Sequence, residues 1–263
     1  IDAHVHITDH PIGQKLMLRD GVTTPLDLEV GAYPVSRYYD NMEGKSQTNY
    51  GATVSTLGVR EKTFNQKYNS RTGILTTDIF AKDENAFLDM KWSGTVPTPD
   101  QRSQISKLVE EGLKEGALGI GAPVGYAVVG VSAQEVTDWQ RLAGKYGRAV
   151  FVHGRFSSQQ SPTTGVLGFQ EFMSNAMIYG GGVMMQHMHQ QALSQSGDAL
   201  DMIDDARAKG VSVIGEIYPY NFGATIVGAD YLVPDNYGPN MGRDYKDIIE
   251  TATLKPLDKD RYD

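Results

Sequence analysis

Apolar positions along this 263-residue chain fall into short runs separated by longer stretches in which they recur every three or four residues. Short runs bounded by Gly, Pro or Asn predict buried strands, and the longer periodic stretches predict helices with one face packed inward. From the start the segments are "IDAHVHI", "GQKLMLRDG", "VTTPLDLEVG", "PVSRYYDNMEG" and "TNYGATVSTLG", which predict strand, helix, strand, helix, strand. Between Val59 and Val96 the apolar repeat lapses into polar sequence, and a long excursion from the core is expected there.

From Thr98 the periodicity is cleaner. "TPDQRSQISKLVEEGLKEG" predicts a helix with Thr98 or Asp100 as its N-cap and Gly116 as its stop, and "SAQEVTDWQRLAGKYG" a helix capped by Ser132. Between and after them come the strands "ALGIG", "RAVFVHGR", "GVMMQHMH" and "VSVIGEIYPY", with "TTGVLGFQEFMSNAMIYGG" and "GDALDMIDDARAKG" as intervening helices. Alternation of this kind predicts βαβ units on a parallel sheet, with seven strands in all.

A doubly wound sheet and a (β/α)8 barrel both fit that list. No G-x-G-x-x-G follows the first strand, and polar residues gather at the C-terminal ends of several strands, which is where a barrel builds its site. The expectation is therefore a TIM-like (β/α)8 barrel, represented over residues 1–263 by an incomplete piece. No eighth strand is visible after Asn221, and seven strands would leave open edges. Natural sequence is expected beyond both ends.

Composition narrows the chemistry. A net charge of -8 without a basic stripe argues against nucleic acid, and no apolar run reaches the length that spans a membrane. A cytoplasmic protein is the expectation, with a homo-oligomer compatible with it. There is no cysteine, so any metal must be held by His and carboxylates.

The six histidines are not scattered. His4 and His6 alternate on the first predicted strand and so share one face, His153 ends "AVFVHGR", and His187 lies at the end of "GVMMQHMH". A lone His after a buried strand is usually a satisfied core residue; four at strand ends on one barrel face point to one or two divalent cations. Two close cations need a bridging anion, and Glu29 at the end of the second predicted strand is the candidate, with Asp27 on the same face but one pleat deeper. His10 lies beyond the first strand, in a loop.

With "IDAHVH", "DGVTTPLDLEVGAYPVSRYYD", "NYGATVS", "EGLKEGALGIG", "VFVHGR" and "EIYPYNFGAT" in place, the chain resembles the amidohydrolase superfamily, and within it the D-aminoacylase and N-acyl-D-glutamate deacylase branch. The resemblance implies that His4 and His6 bind a first Zn2+, that His153 and His187 bind a second, and that Glu29 replaces the bridging cysteine of D-aminoacylases proper. "GALGIGAPVGY" offers no lysine for the carbamate bridge of other members. The resemblance also implies substrate contacts from Arg155, Tyr218 and Tyr220, while His189 stands where many relatives have a lysine.

The activity implied is hydrolysis of the amide of an N-acyl-D-amino acid, such as N-acyl-D-glutamate, by a metal-activated water. In the family the general base is an aspartate after strand eight. None is assignable here: Asp258, Asp260 and Asp263 lie in a polar tail and read as surface acids. The alternatives are another amidohydrolase substrate (a cyclic amide, a β-aspartyl dipeptide or an aminopurine) and a barrel fragment without turnover.

Overall fold

In the structure, a computed structural model, residues 1–64, 91–225 and 229–262 are described. Helix α1 (Pro11–Arg19) leads into β1 (Leu26–Ala32), α2 (Val35–Met42), β2 (Gly51–Ser55) and α3 (Thr56–Phe64). After α4 (Lys91–Gly94) the alternation resumes with α5 (Pro99–Lys114), β3 (Gly119–Pro123), α6 (Ala133–Tyr146), β4 (Ala149–His153), α7 (Gly165–Tyr179), β5 (Gly182–Met185), α8 (Met188–Ala192), α9 (Ser196–Ala208) and β6 (Ser212–Gly215). The tail holds α10 (Pro234–Met241), a short hairpin of β7 (Ile249–Glu250) with β8 (Lys255–Pro256), and α11 (Lys259–Tyr262).

Helix starts follow the local sequence. Thr98 caps α5 through a reciprocal pair with Gln101, and Ser132 caps α6 through the same arrangement with Glu135. His10, expected in a loop, is the N-cap of α1, its ring nitrogen accepting the Ile12 N–H.

All six main strands are parallel and lie in chain order, β1-β2-β3-β4-β5-β6. A doubly wound sheet would reverse its order at a switch point, so the sequential order leaves the barrel type of winding. Among the described residues the sheet is not closed into a ring.

One of the seven predicted strands is absent from the ladder. Within Ile1–Ile7 the one bridge is a parallel one of Asp2 with Pro25, and beyond it the only backbone group to reach β1 is the Val5 N–H, at the Leu26 carbonyl. The Asp2 carboxylate accepts the His4 N–H at 3.0 Å, and this local turn removes the donor that a continuing strand would need. The expected excursion after Val59 also begins as helix, since α3 buries Val59 and Arg60; residues 65–90 of that stretch lie outside the described residues.

Residues of one parity, including Val54, Ile120, Val150, Val152, Val183 and Val213, join Ile105, Val109, Trp139, Phe169, Phe172 and Ile203 of the helices in one core. Each such side chain, fully buried, contributes about 1.5–3 kcal/mol from its apolar surface. The opposite parity forms the row Gly121, Phe151, Met184 and Ile214, residues paired across successive strands. Phe151 leads two residues on to His153, and Ile214 to Glu216, so this face carries the polar strand ends.

Arg60 ties the helical layer together. Its guanidinium pairs with the buried Glu135 and donates to the Trp92 and Thr95 carbonyls, joining α3, α4 and α6.

Candidate metal centre

The centre is organised on Glu29. Across the β1–β2 ladder, Asp27 faces Ala52 and Ala32 faces Val54, so β1 carries three more residues than its partner over this stretch. Gly31, inside that bulge, has φ +71, and a Cβ there would stand 2.4 Å from the Thr53 hydroxyl and 2.5 Å from its carbonyl oxygen. Asp27 Oδ1 fixes the bend by accepting the Gly31 N–H at 2.9 Å. A bulge re-aims the side chains it contains, and here it turns the Glu29 carboxylate, in the middle of β1 and not at its end as expected, toward the centre.

Four imidazoles surround that carboxylate, two on each oxygen. His153 Nδ1 and His187 Nε2 stand 2.9 and 3.0 Å from Oε1, while His4 Nε2 and His6 Nε2 stand 3.2 and 3.3 Å from Oε2. Glu29 itself is buried. His153 ends β4; His187 follows β5 with a left-handed backbone, φ 31 and ψ 50, before α8 begins.

The charges follow from the packing. Burial works against a charged imidazole, but Glu29 and Glu216 outweigh it and raise His4 to about 9. Burial also opposes charge on His6, which Asp27 and Glu29 raise to about 10. Burial would raise the Glu29 carboxyl, yet the His4 charge and the hydrogen bonds from His153, His187 and His4 hold it well below its usual value. His153 is pushed down by burial and stays neutral.

The arrangement gathers positive charge around one anion, and its spacing suits metal ions. Ligand atoms each about 2.0–2.2 Å from a shared ion, at angles near 90–110°, lie about 2.9–3.5 Å apart, and the four N···O distances, which are also those of hydrogen bonds, fall in that range. Among the described residues, the His/Cys/Asp/Glu group whose ligand atoms all lie within 4.8 Å of one another is His4, Glu29 and His187. Imidazole with carboxylate and no thiolate suits zinc and the neighbouring divalent ions.

A second layer surrounds these ligands. Glu216 Oε2 lies 2.8 Å from His4 Nδ1, and Asp27 Oδ1 lies 3.5 Å from His6 Nδ1. The Gln191 amide accepts the Gly154 N–H and donates to the Gln186 carbonyl and to His187 Nδ1, each at 3.1 Å. Glu216 was legible in part: it is an acid within the predicted strand "VSVIGEIYPY", and it directly follows β6. Tyr126 and Tyr231 flank His153, with ring centroids 4.8 and 6.0 Å from it, and both share hydrogen bonds with the Thr225 hydroxyl. Neither tyrosine stands in a sequence pattern that announces it.

The expected substrate contacts divide. His189 packs edge-on against Tyr218 at 4.3 Å, with both ring nitrogens buried and unpartnered among the described residues. Tyr220 is exposed. Arg155 is engaged elsewhere: Nε and Nη2 pair with the Glu171 carboxylate at 3.0 and 2.9 Å, and Nη1 donates to the Val128 and Val131 carbonyls. Asp258 and Asp260 are exposed, and Asp263 lies outside the described residues.

No protein-family model matches the chain, and no curated protein does. Solved structures do. An N-acyl-D-glutamate deacylase from Bordetella bronchiseptica, complexed with zinc and a phosphonate that mimics the tetrahedral intermediate, is similar over 81% of this chain and 44% of its own, with TM-score 0.59 and 19% identity. A D-aminoacylase variant in copper chloride covers 89% of this chain and 50% of its own, with TM-score 0.65 and 17% identity. A D-aminoacylase structure concerned with its binuclear metal centre covers 83% of this chain and 47% of its own, with TM-score 0.62 and 16% identity. The chain thus spans about half the length of these proteins, and over that half its fold is that of the D-aminoacylase-type amidohydrolases.

Proposed function

We propose that this chain is the metal-binding part of a barrel hydrolase that cleaves the amide bond of N-acyl-D-amino acids, N-acyl-D-glutamate being the first candidate. The observation that carries the reading is the Glu29 carboxylate with two imidazole nitrogens on each oxygen. Were two cations bound there, His4 and His6 would hold one and His153 and His187 the other, with the Glu29 carboxylate between the two pairs. The neighbours' fold supports it, as do the zinc and phosphonate named for one of them.

Divalent cations bound there would acidify a water and polarise an amide carbonyl. The chain's own residues do the remaining work. Glu29 would supply the negative charge that offsets repulsion between two such cations. Glu216 and Asp27 orient His4 and His6. His189 and Tyr218 form one wall beside the centre, and Tyr126 and Tyr231, tied together through the Thr225 hydroxyl, form another. Arg155 props the 128–131 segment from its pair with Glu171. The proton-transfer group is not assigned to any residue of this sequence.

The test is metal content per chain by elemental mass spectrometry on wild type and Glu29→Ala, followed by release of free D-glutamate from its N-acetyl derivative by the full-length protein. About two metals in wild type and under one in the variant support the centre. Metal without D-glutamate release would leave the centre standing and refute the substrate.

A further inference from the structure

We infer that Glu216 is a positioning residue of this centre, orienting the His4 imidazole and holding the His187 turn through a single carboxylate oxygen. The inference rests on the metal reading above and adds to it a residue that binds no metal itself. Glu216 Oε2 stands 2.8 Å from His4 Nδ1 and accepts the His187 backbone N–H at 2.6 Å. These are two members of the His4, Glu29 and His187 group, and Glu216 does not belong to that group.

Ionised carboxylates only accept hydrogen bonds, so the proton between Glu216 and His4 sits on Nδ1. The His4 atom turned toward Glu29 is then Nε2, and a neutral ring protonated on Nδ1 keeps the Nε2 lone pair for a metal. Imidazole ligands are commonly fixed in this way by a carboxylate on the far nitrogen. The second contact has a different purpose. His187 reaches the centre only because its backbone is left-handed at φ 31, a conformation that non-glycine residues adopt with strain. Its N–H, turned out of the β5–β6 ladder, finds its acceptor in the same oxygen.

The backbone of Glu216 secures the arrangement. Its N–H donates to the Met185 carbonyl and its carbonyl accepts the Met188 N–H, both at 2.8 Å. Glu216 is therefore clamped to both sides of the turn whose middle it holds with its side chain, and its carboxylate joins the N-terminal segment to the end of β5.

The experiment uses the full chain with 15N-labelled histidine and the variants Glu216→Ala and Glu216→Gln. Zinc affinity is read by competition with a chromophoric chelator, and the hydrogen-bonded His4 Nδ1–H by long-range 15N–1H spectra of chelator-treated protein. Glu216→Ala should weaken zinc binding about 10–100-fold and abolish the protected Nδ1–H signal of His4. Glu216→Gln keeps an oxygen that accepts both N–H groups, and should restore most of the affinity and the signal.

An alanine variant with wild-type affinity and an unchanged His4 signal would overturn the inference. Should Glu216→Ala fail to fold, the glutamine variant decides: retention of the signal supports the role, and its loss in folded protein refutes it. If wild type binds no zinc, the metal reading falls, while the His4 signal with and without Glu216 still judges the positioning role.

Discussion

His153 Nδ1 lies 2.9 Å from Glu29 Oε1 although 124 residues of chain separate them, and this contact joins β4 to the bulge in β1. Both groups are buried, and the carboxylate is held well below its usual range while the imidazole is pushed down and neutral. The negative charge of Glu29 is thus offset mainly by His4 and His6 on its other oxygen.

Replacing Glu29 by Gln removes that charge with little change in shape. In chelator-treated protein the His4 and His6 pKa values should fall from about 9 and about 10 toward the ordinary 6.5, with His4 falling further because Glu29 leads its shift ahead of Glu216, whereas Asp27 leads at His6. An NMR pH titration of the two rings measures this, and unchanged values would mean that Glu29 is not the source of the shifts.

The same groups fix a pH window for stability without metal. Glu29 is lowered from 4.5, so its contribution is present above pH 4.5 and is lost as pH falls through the folded value. His4 and His6 are raised from 6.5, so theirs is complete below pH 6.5 and is lost as pH rises through about 9 and about 10. The melting temperature of chelator-treated protein should therefore gain most from this cluster between pH 4.5 and 6.5, and Glu29→Gln should flatten both limbs.

Arg60→Met should destabilise the fold strongly. It strips the buried Glu135 of its partner and leaves the Trp92 and Thr95 carbonyls without their donors. The expected loss is about 3–5 kcal/mol, read from the urea midpoint. Adding Glu135→Leu should recover part of it, because the uncompensated charge goes too; no recovery would locate the cost in the carbonyls instead.

Gly31→Ala tests the bulge. The backbone there has φ +71, and the added methyl meets the Thr53 hydroxyl and carbonyl at 2.4 and 2.5 Å. A loss above about 1 kcal/mol is expected, together with weaker zinc binding as Glu29 is displaced. Wild-type zinc affinity in a destabilised variant would show that the bulge serves the fold and not the centre.

Much of the fold is local in origin, and that part was legible from the chain. The capping pairs Thr98–Gln101 and Ser132–Glu135 span three residues each, and the alternation of helix and strand follows from apolar spacing within single elements. Four histidines and Glu29 read as a cluster when each is treated as a strand residue at a common rim, which holds for Glu29 and His153 on β1 and β4; His4, His6 and His187 reach Glu29 from outside the strands.

Other features depended on contacts that no local pattern encodes. "IDAHVHI" has the alternation of a strand, yet the Asp2 side chain claims the His4 N–H and only a single bridge forms. Arg155 follows His153 by two residues, but Glu171 and two carbonyls lie closer to its guanidinium and take it.

By itself, then, the sequence determined most of the helices and six of the seven predicted strands, because periodicity and capping act over a few residues. Only the tertiary structure decided that Glu29 stands within reach of four imidazoles and that Glu216 joins His4 to the His187 backbone. Those meetings depend on strand register, on the extra residues in β1 and on one left-handed turn, and all three are settled by packing between distant parts of the chain.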